Sequence, residues 1–229
     1  MQHILITGAS GNLGKSLVSR FLGAGSRVTA IVIPNDPVRL DPGSPLFSKY
    51  EADLNNEAAV EQVLDRIVRK HGDIHVAVLT AGGFAMGDIR STGSAEIMKQ
   101  YRLNVETSYH VARPVFLHMK ERRYGRIFMV GSRPGLDMLA SKNMIAYGLS
   151  KSLIFRLVEI LNESAEGANV VSSVIVPSII DTPQNRESMP DADFSAWMDP
   201  DKIAEIVGFY SSPAADGLRE PVLKVYNKA

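Results

Sequence analysis

The sequence predicts an α/β protein: a doubly wound parallel sheet of about seven strands with helices on both faces, in one domain. Three observations predict it. Short apolar runs ended by Gly or Pro alternate with longer stretches whose apolar residues recur every three or four positions. The first such run passes directly into a glycine-rich turn, and that turn into a helical pattern. No internal repeat, low-complexity tract or linker interrupts the alternation across residues 1–229.

The elements follow in order. Ile4 to Thr7, stopped by Gly8, reads as a strand buried on both faces. Leu13, Leu17, Val18, Phe21 and Leu22 have helical spacing, and Gly23 and Gly25 end that helix. Val28 to Ile33 is a second strand, followed by a loop rich in Pro. A short strand from Tyr50 to Ala52 leads to Asp53, and Asn55 caps a helix reaching His71. Ile74 to Leu79 is a fourth strand, and Ser94 to Arg122 reads as two joined helices. Arg126 to Val130 is a fifth strand. A loop from Gly131 to Lys142 precedes a helix to Glu163, and Val170 to Val176 is a sixth strand closed by Pro177. Ser178 to Asp199 reads as loop, Pro200 to Tyr210 as a helix and Val222 to Tyr226 as the last strand.

Composition removes several function classes. Without cysteine there is no disulfide, thiolate metal site or Cys nucleophile. The 25 basic and 25 acidic residues balance, which gives no electrostatic case for nucleic acid or an anionic membrane as partner. No apolar run approaches the ~20 residues of a membrane span. The start, His-Ile-Leu-Ile-Thr, reads as a strand and not a signal peptide, so a cytoplasmic protein is expected. The five histidines show no ligand spacing, and no metal site is expected.

Thr7-Gly8-Ala9-Ser10-Gly11-Asn12-Leu13-Gly14 lies between the first strand and first helix. Gly8 permits a tight turn, Gly11 lets backbone approach a pyrophosphate, and Gly14 lets helix pack on strand. Ser10, Asn12 and Leu13 complete the turn, and the helix N-terminus offers free N–H groups to phosphate. This is the dinucleotide-binding context of a Rossmann-like sheet. Asp53-Leu54, after the third strand, lies near where adenine binds in such a sheet. Asp53 either accepts from the adenine amino group or serves as a helix-start aspartate favoured by the dipole.

Tyr147 and Lys151 stand four apart at a helix start, one turn apart on one face. A carbonyl reduction needs a proton as hydride arrives, and a phenol at its ordinary pKa of ~10 releases one reluctantly at neutral pH. A neighbouring ammonium favours the phenolate and is expected to lower that pKa. Ser132, after the fifth strand, could hold the substrate oxygen.

These residues, with Ala81-Gly82, Asn104, Tyr147-Gly148-Leu149-Ser150-Lys151 and Pro177 to Thr182, fall in the order of the short-chain dehydrogenase/reductase family. The chain resembles that family over nearly its whole length. The resemblance implies an NAD(P)-dependent oxidoreductase with Tyr147 as acid/base, Lys151 binding the nicotinamide ribose, Ser132 positioning the carbonyl and Asn104 supporting a water in a proton relay. It implies that Pro177, Ile180 and Thr182 face the nicotinamide. The pattern departs from the family in three places: the glycine spacing is GxxGxxG, Thr80-Ala81-Gly82 replaces Asn-Ala-Gly, and Ser178 replaces a common glycine. Ser132 also lies about two residues farther from Tyr147 than is usual in the family.

Asp181 to Trp197 and Ala81-Gly82-Gly83-Phe84-Ala85 are similar to the corresponding stretches of quinoid dihydropteridine reductases, which implies a carbonyl, quinonoid or pterin-like small-molecule substrate. Trp197 or Phe194 could stack on a flat ring, with Trp197 either a lid or a loop anchor. Met138, Leu139, Met144 and Ile145 line a substrate pocket or pack in a core or interface. The end of the second strand, near Val32, is apolar, and Arg39 could meet a 2′-phosphate, so the lean is to NADP. Apolar residues cover wide faces of the helices around 104–119 and from 147, which predicts a homodimer or homotetramer. The rival class, implied by the glycine turn alone, is a nucleotide-sensing protein without catalysis.

Overall fold

A computed structural model describes residues 1–228. Seven strands form one sheet in the order β3-β2-β1-β4-β5-β6-β7, and every neighbouring pair is parallel. β1 (His3–Thr7), β2 (Arg27–Val32) and β3 (Phe47–Glu51) run outward on one side. β4 (Val76–Leu79), β5 (Tyr124–Val130), β6 (Asn169–Pro177) and β7 (Val222–Val225) run outward on the other. The strand order therefore reverses between β1 and β4, where a doubly wound sheet opens its ligand crevice at the carboxyl ends.

Central strands are apolar on both faces because helices cover both. On one face α1 (Asn12–Gly23) and α9 (Pro200–Tyr210) close over Ile4, Ile6, Val28, Val76 and Phe128. On the other, α2 (Glu57–His71), α4 (Thr107–Glu121) and α7 (Ile145–Glu163) close over Leu5, Ile31, Ala77, Ile127 and Met129. Burying a Val, Leu or Ile side chain stabilises by ~1.5–3 kcal/mol each, so these two layers hold the sheet. No helix among the described residues is long and apolar enough to cross a membrane.

Three expectations are corrected. Asn56, not Asn55, caps α2: its side chain accepts from Ala59 N at 3.1 Å. Asn55 is held instead by Asp53, whose Oδ1 accepts from Asn55 N at 3.0 Å. The segment after β5 contains α5 (Arg133–Leu136) and α6 (Met138–Ser141), the latter capped by Asp137. The segment after β6 contains α8 (Pro183–Ser188), capped by Thr182, and a 3-10 turn at Phe194–Ala196, capped by Asp193. Its prolines read as loop in the sequence, yet Pro183 occupies the first turn of α8, where the missing N–H costs nothing, as Pro200 does in α9, where a helix was expected.

The two helices expected over residues 94–122 are α3 (Ser94–Tyr101) and α4. One π-helical turn, Arg102–Glu106, joins them and carries Asn104. Such widened turns concentrate at functional sites.

Candidate active site

The glycine turn is built by close approaches. Gly8 has φ 62°, and a Cβ there would lie 2.8 Å from Ala81 N. A Cβ on Gly14 would collide with the Gly8 carbonyl and the Ala9 backbone. Gly11 caps α1 without a side-chain hydrogen bond, and no acidic residue stands in the first turn. The first N–H groups of α1 therefore remain available to an anion. Thr80, which stands where the family carries Asn, donates its hydroxyl to Thr7 O at 2.7 Å and ties the ends of β4 and β1 together.

The adenosine end differs from expectation. Val32 is buried and apolar, but Asn35 adopts φ 58° just beyond it and turns the chain back. Asp36 then comes beside Ser10, whose hydroxyl, followed by Val38 N–H, holds its carboxyl below the ordinary value. Asp36 Oδ2 is buried without a hydrogen-bond partner. Asp53 is exposed and Leu54 buried.

Tyr147 and Lys151 lie in the first two turns of α7, as their spacing predicts. Lys151 Nζ donates to Val130 O at 2.7 Å and stands 5.8 Å from the Tyr147 ring centroid. Burial lowers Lys151 to about 8. Burial also raises Tyr147, while the neighbouring Ser132 hydroxyl pulls it back. The expected lowering of the phenol is thus absent here, because desolvation of the phenolate outweighs its neighbours. Ser132 Oγ is buried beside the phenol, with no partner at full hydrogen-bond geometry.

Asn104 is completely buried. Its Nδ2 donates to Gly83 O at 3.0 Å, Gln100 Oε1 at 3.1 Å and Ser150 Oγ at 3.0 Å, and its Oδ1 accepts from Gly83 N at 3.0 Å. Ser150 Oγ donates to Tyr147 O at 2.8 Å. One side chain therefore links the Ala81-Gly82-Gly83 segment, the π turn and the tyrosine helix. A Cβ on Gly82 would lie 2.6 Å from Asn104 Oδ1, so this strap passes close against Asn104 and needs glycine.

Pro177 closes β6, and Ser178 Oγ, like Ser132 Oγ, is buried without a partner. These two hydroxyls stand at the carboxyl ends of adjacent strands. Ile180 O accepts from Asn185 Nδ2 at 2.8 Å, and Thr182 Oγ1 accepts from Asn185 N at 3.1 Å. Trp197 is 6% exposed, and its carbonyl accepts from Asn227 Nδ2 at 2.9 Å. It is a loop anchor, not a lid, packed 4.8 Å from the Phe194 ring, which in turn carries the Arg186 guanidinium. Neither ring is free to stack on a ligand with both faces.

A profile of the short chain dehydrogenase family matches residues 2–193. The chain belongs to this family. It is an NAD(P)-dependent short-chain oxidoreductase. A dihydropteridine reductase of Dictyostelium discoideum is 26% identical over 89% of this chain and 85% of that one. The cyclic-di-GMP-binding biofilm dispersal mediator protein of Escherichia coli is 25% identical over 93% and 90%. A solved oxidoreductase of the short chain dehydrogenase/reductase family from Burkholderia thailandensis superimposes with a TM-score of 0.83 at 27% identity, over 98% of this chain and 90% of that one.

The residues of this short-chain dehydrogenase fit a dinucleotide. The glycine cradle leaves room that any Cβ would take, and the unpartnered Ser132 and Ser178 hydroxyls stand at the carboxyl ends of β5 and β6. Sequence reasoning missed Gln100, Ser150, Asp36 and Gln184. A signal existed for two of them: Gln100 is one helical turn before Asn104, and Ser150 lies inside the Tyr-x-x-Ser-Lys run. Asp36 required the left-handed turn at Asn35, and Gln184 required the tertiary fold.

Proposed function

We propose that this enzyme reduces a carbonyl or quinonoid group with Tyr147 as general acid. The observation that carries the reading is the meeting of Tyr147, the buried unpartnered Ser132 hydroxyl and the buried Lys151 amine at the crevice end of β5. Reduced NAD(P), when bound, supplies the hydride. Ser132 donates a hydrogen bond to the substrate oxygen and holds it beside the phenol. As the carbon gains hydride and the C–O π bond opens, the oxygen takes the Tyr147 proton. The charged form of Lys151 stabilises the phenolate left behind, and its bond to Val130 O fixes its Nζ. Asn104 is a positioning residue: through Gly83 and Ser150 it sets the strap and the Tyr147 helix relative to each other.

Gly8, Ser10, Gly11, Asn12, Leu13 and Gly14 hold the pyrophosphate side. Ala81, Gly82, Asp53 and Leu54 border the adenosine half, and Lys151, Pro177, Ile180 and Thr182 the nicotinamide half. NADP is the cofactor we favour. Val32 is apolar, and Lys15 and Lys49 stand close enough to Asp36 to lower its carboxyl and to meet a 2′-phosphate. Asp36 opposes this choice by offering an acceptor to a ribose hydroxyl.

A pterin-like quinonoid ring is a narrower second reading, favoured by the Dictyostelium relative. The rival reading, nucleotide sensing without catalysis, has the Escherichia coli relative in its favour. It gives no role to Tyr147, Ser132 and Lys151. A dimer through α4 and α7 completes the proposal. Most of their apolar residues are taken up by the sheet, but Tyr109, Leu117, Leu149, Leu153 and Ile160 remain exposed on the outer faces. The test is consumption of reduced NAD and NADP, offered separately, across simple ketones, diketones and quinonoid dihydropterin. Binding of cofactor with no turnover of any of them would favour the sensor.

A further inference from the structure

Two short segments flank the start of the tyrosine helix. One carries Phe84, Met86 and Ile89, and the Phe84 ring stands edge-on to Tyr147 with centroids 5.1 Å apart. The other carries Met138 and Leu139 on α6. Backbone bonds tie the first segment to the stretch just after α6: Gly87 N donates to Asn143 O at 2.8 Å, and Ile145 N to Gly87 O at 2.9 Å. Their large apolar side chains point outward. Met138 is 90% exposed, Leu139 82%, Ile89 79% and Met86 66%.

The acidic groups of the same segments are spent on holding the turns. Asp88 Oδ1 accepts from Arg90 N at 3.1 Å and from Ser91 Oγ at 2.8 Å. Asp137 Oδ1 accepts from Leu139 N at 2.8 Å. The caps fix the backbone, and the fixed backbone displays the apolar side chains. Concentrated exposed apolar surface is uncommon on a water-facing protein and marks a ligand or partner surface. Phe84 stands at the reacting site, and the loop that carries it is tied by backbone to the end of α6, so an occupant of this surface would enter with the substrate.

We infer that the substrate carries a flat aromatic group beside its reacting carbonyl, and that Phe84, Met86, Met138 and Leu139 cover that group. Methionine thioethers adapt to aromatic faces and edges, and Phe84 adds an edge already set by Tyr147. A pterin ring, polar along its edges, finds no donor or acceptor among these side chains. The inference rests on the reductase reading and names its substrate class.

The test compares diacetyl with acetylbenzoyl, which differ by one phenyl group for a methyl at the same dicarbonyl, and includes quinonoid dihydropterin. For the protein as it stands, kcat/KM for acetylbenzoyl should exceed that for diacetyl by about tenfold or more. The double variant Met138→Ser with Leu139→Ser should lower that ratio about tenfold, mainly through KM for acetylbenzoyl. Retained cofactor affinity reports that the variant is folded. Equal use of the two diones, a ratio unmoved by the double variant, or preferential turnover of the pterin would overturn the inference. If neither dione nor the dihydropterin is reduced, the reductase reading fails, and calorimetric binding of both diones to the NADP⁺-loaded protein decides the rim alone. Tighter binding of acetylbenzoyl, weakened in the double variant, supports it; equal binding overturns it.

Discussion

Asn12 Nδ2 donates to Gln184 Oε1 at 2.8 Å, joining the phosphate-binding turn to α8 across the crevice. Asn12 opens α1, where a pyrophosphate would bind, and Gln184 lies in the helix that follows β6. We expect cofactor release to part this bond. Gln184→Ala should therefore speed release of reduced cofactor severalfold while the hydride-transfer step in a single turnover stays within about twofold, since one exposed hydrogen bond contributes ~0.5–1.5 kcal/mol. Stopped-flow fluorescence of the bound cofactor measures it. An unchanged release rate would show that α8 does not retain the cofactor.

The pH profile reports on Lys151. Burial holds its amine at about 8, below its ordinary 10.5, so it loses its charge within a working pH range. Above that point the buried ammonium no longer stabilises the phenolate. Carbonyl reduction should be level below pH 8 and decline above it, reaching about a tenfold fall per pH unit. The kcat/KM profile with a saturating reduced cofactor is the measurement. A level profile through pH 10 would separate Lys151 from the chemistry.

Acid stability should depend on His3. This side chain, 3% exposed at the start of β1, bonds Thr29 Oγ1 at 2.8 Å and lies edge-on to His71. Burial, opposed by the Gly72 carbonyl, lowers it from 6.5 to about 4. The unfolded chain therefore binds the extra proton between these values, and stability falls as pH drops from 6.5 toward 4. Denaturant unfolding at pH 7 and pH 4.5 should show that His3→Gln loses less stability across this interval than the parent, by on the order of 2 kcal/mol. Parallel losses in the two proteins would contradict the assignment.

The outer faces of α4 and α7 predict association. Leu149, Leu153 and Ile160 form one exposed stripe on α7, and Tyr109 and Leu117 another on α4. Leu153→Glu should shift the mass found by light scattering at micromolar concentration from dimer or larger to monomer, because a charge would be buried unpaired at the two-fold contact. A parent protein that is already monomeric would remove the prediction.

Much of this fold was legible because strands buried on both faces and amphipathic helices leave different periods in the chain. Leu13, Leu17, Val18 and Phe21 are buried in α1 as their spacing indicates, and Val60, Val63, Leu64 and Ile67 in α2. The site was legible where neighbours in space are neighbours in sequence: Tyr147 and Lys151, and the turn from Gly8 to Gly14. It was not legible where the tertiary fold brings partners together. Gln184 reaches Asn12 across 172 positions, and Asp36 reaches Ser10 only because Asn35 turns back. The sequence left Trp197 open between lid and loop anchor, because only the tertiary fold buries its ring beside Phe194. The phenol of Tyr147 is raised and not lowered, because burial, which a four-residue spacing does not reveal, outweighs its neighbours.

The central claim is that Tyr147 delivers the proton, and Tyr147→Phe tests it most directly. The ring and its edge contact with Phe84 would remain, and only the hydroxyl would go. Turnover on a reducible carbonyl should fall by about 10²- to 10⁴-fold, the usual share of general acid catalysis, with cofactor affinity changed less than about threefold. Turnover of the Phe variant close to that of the parent would contradict the account.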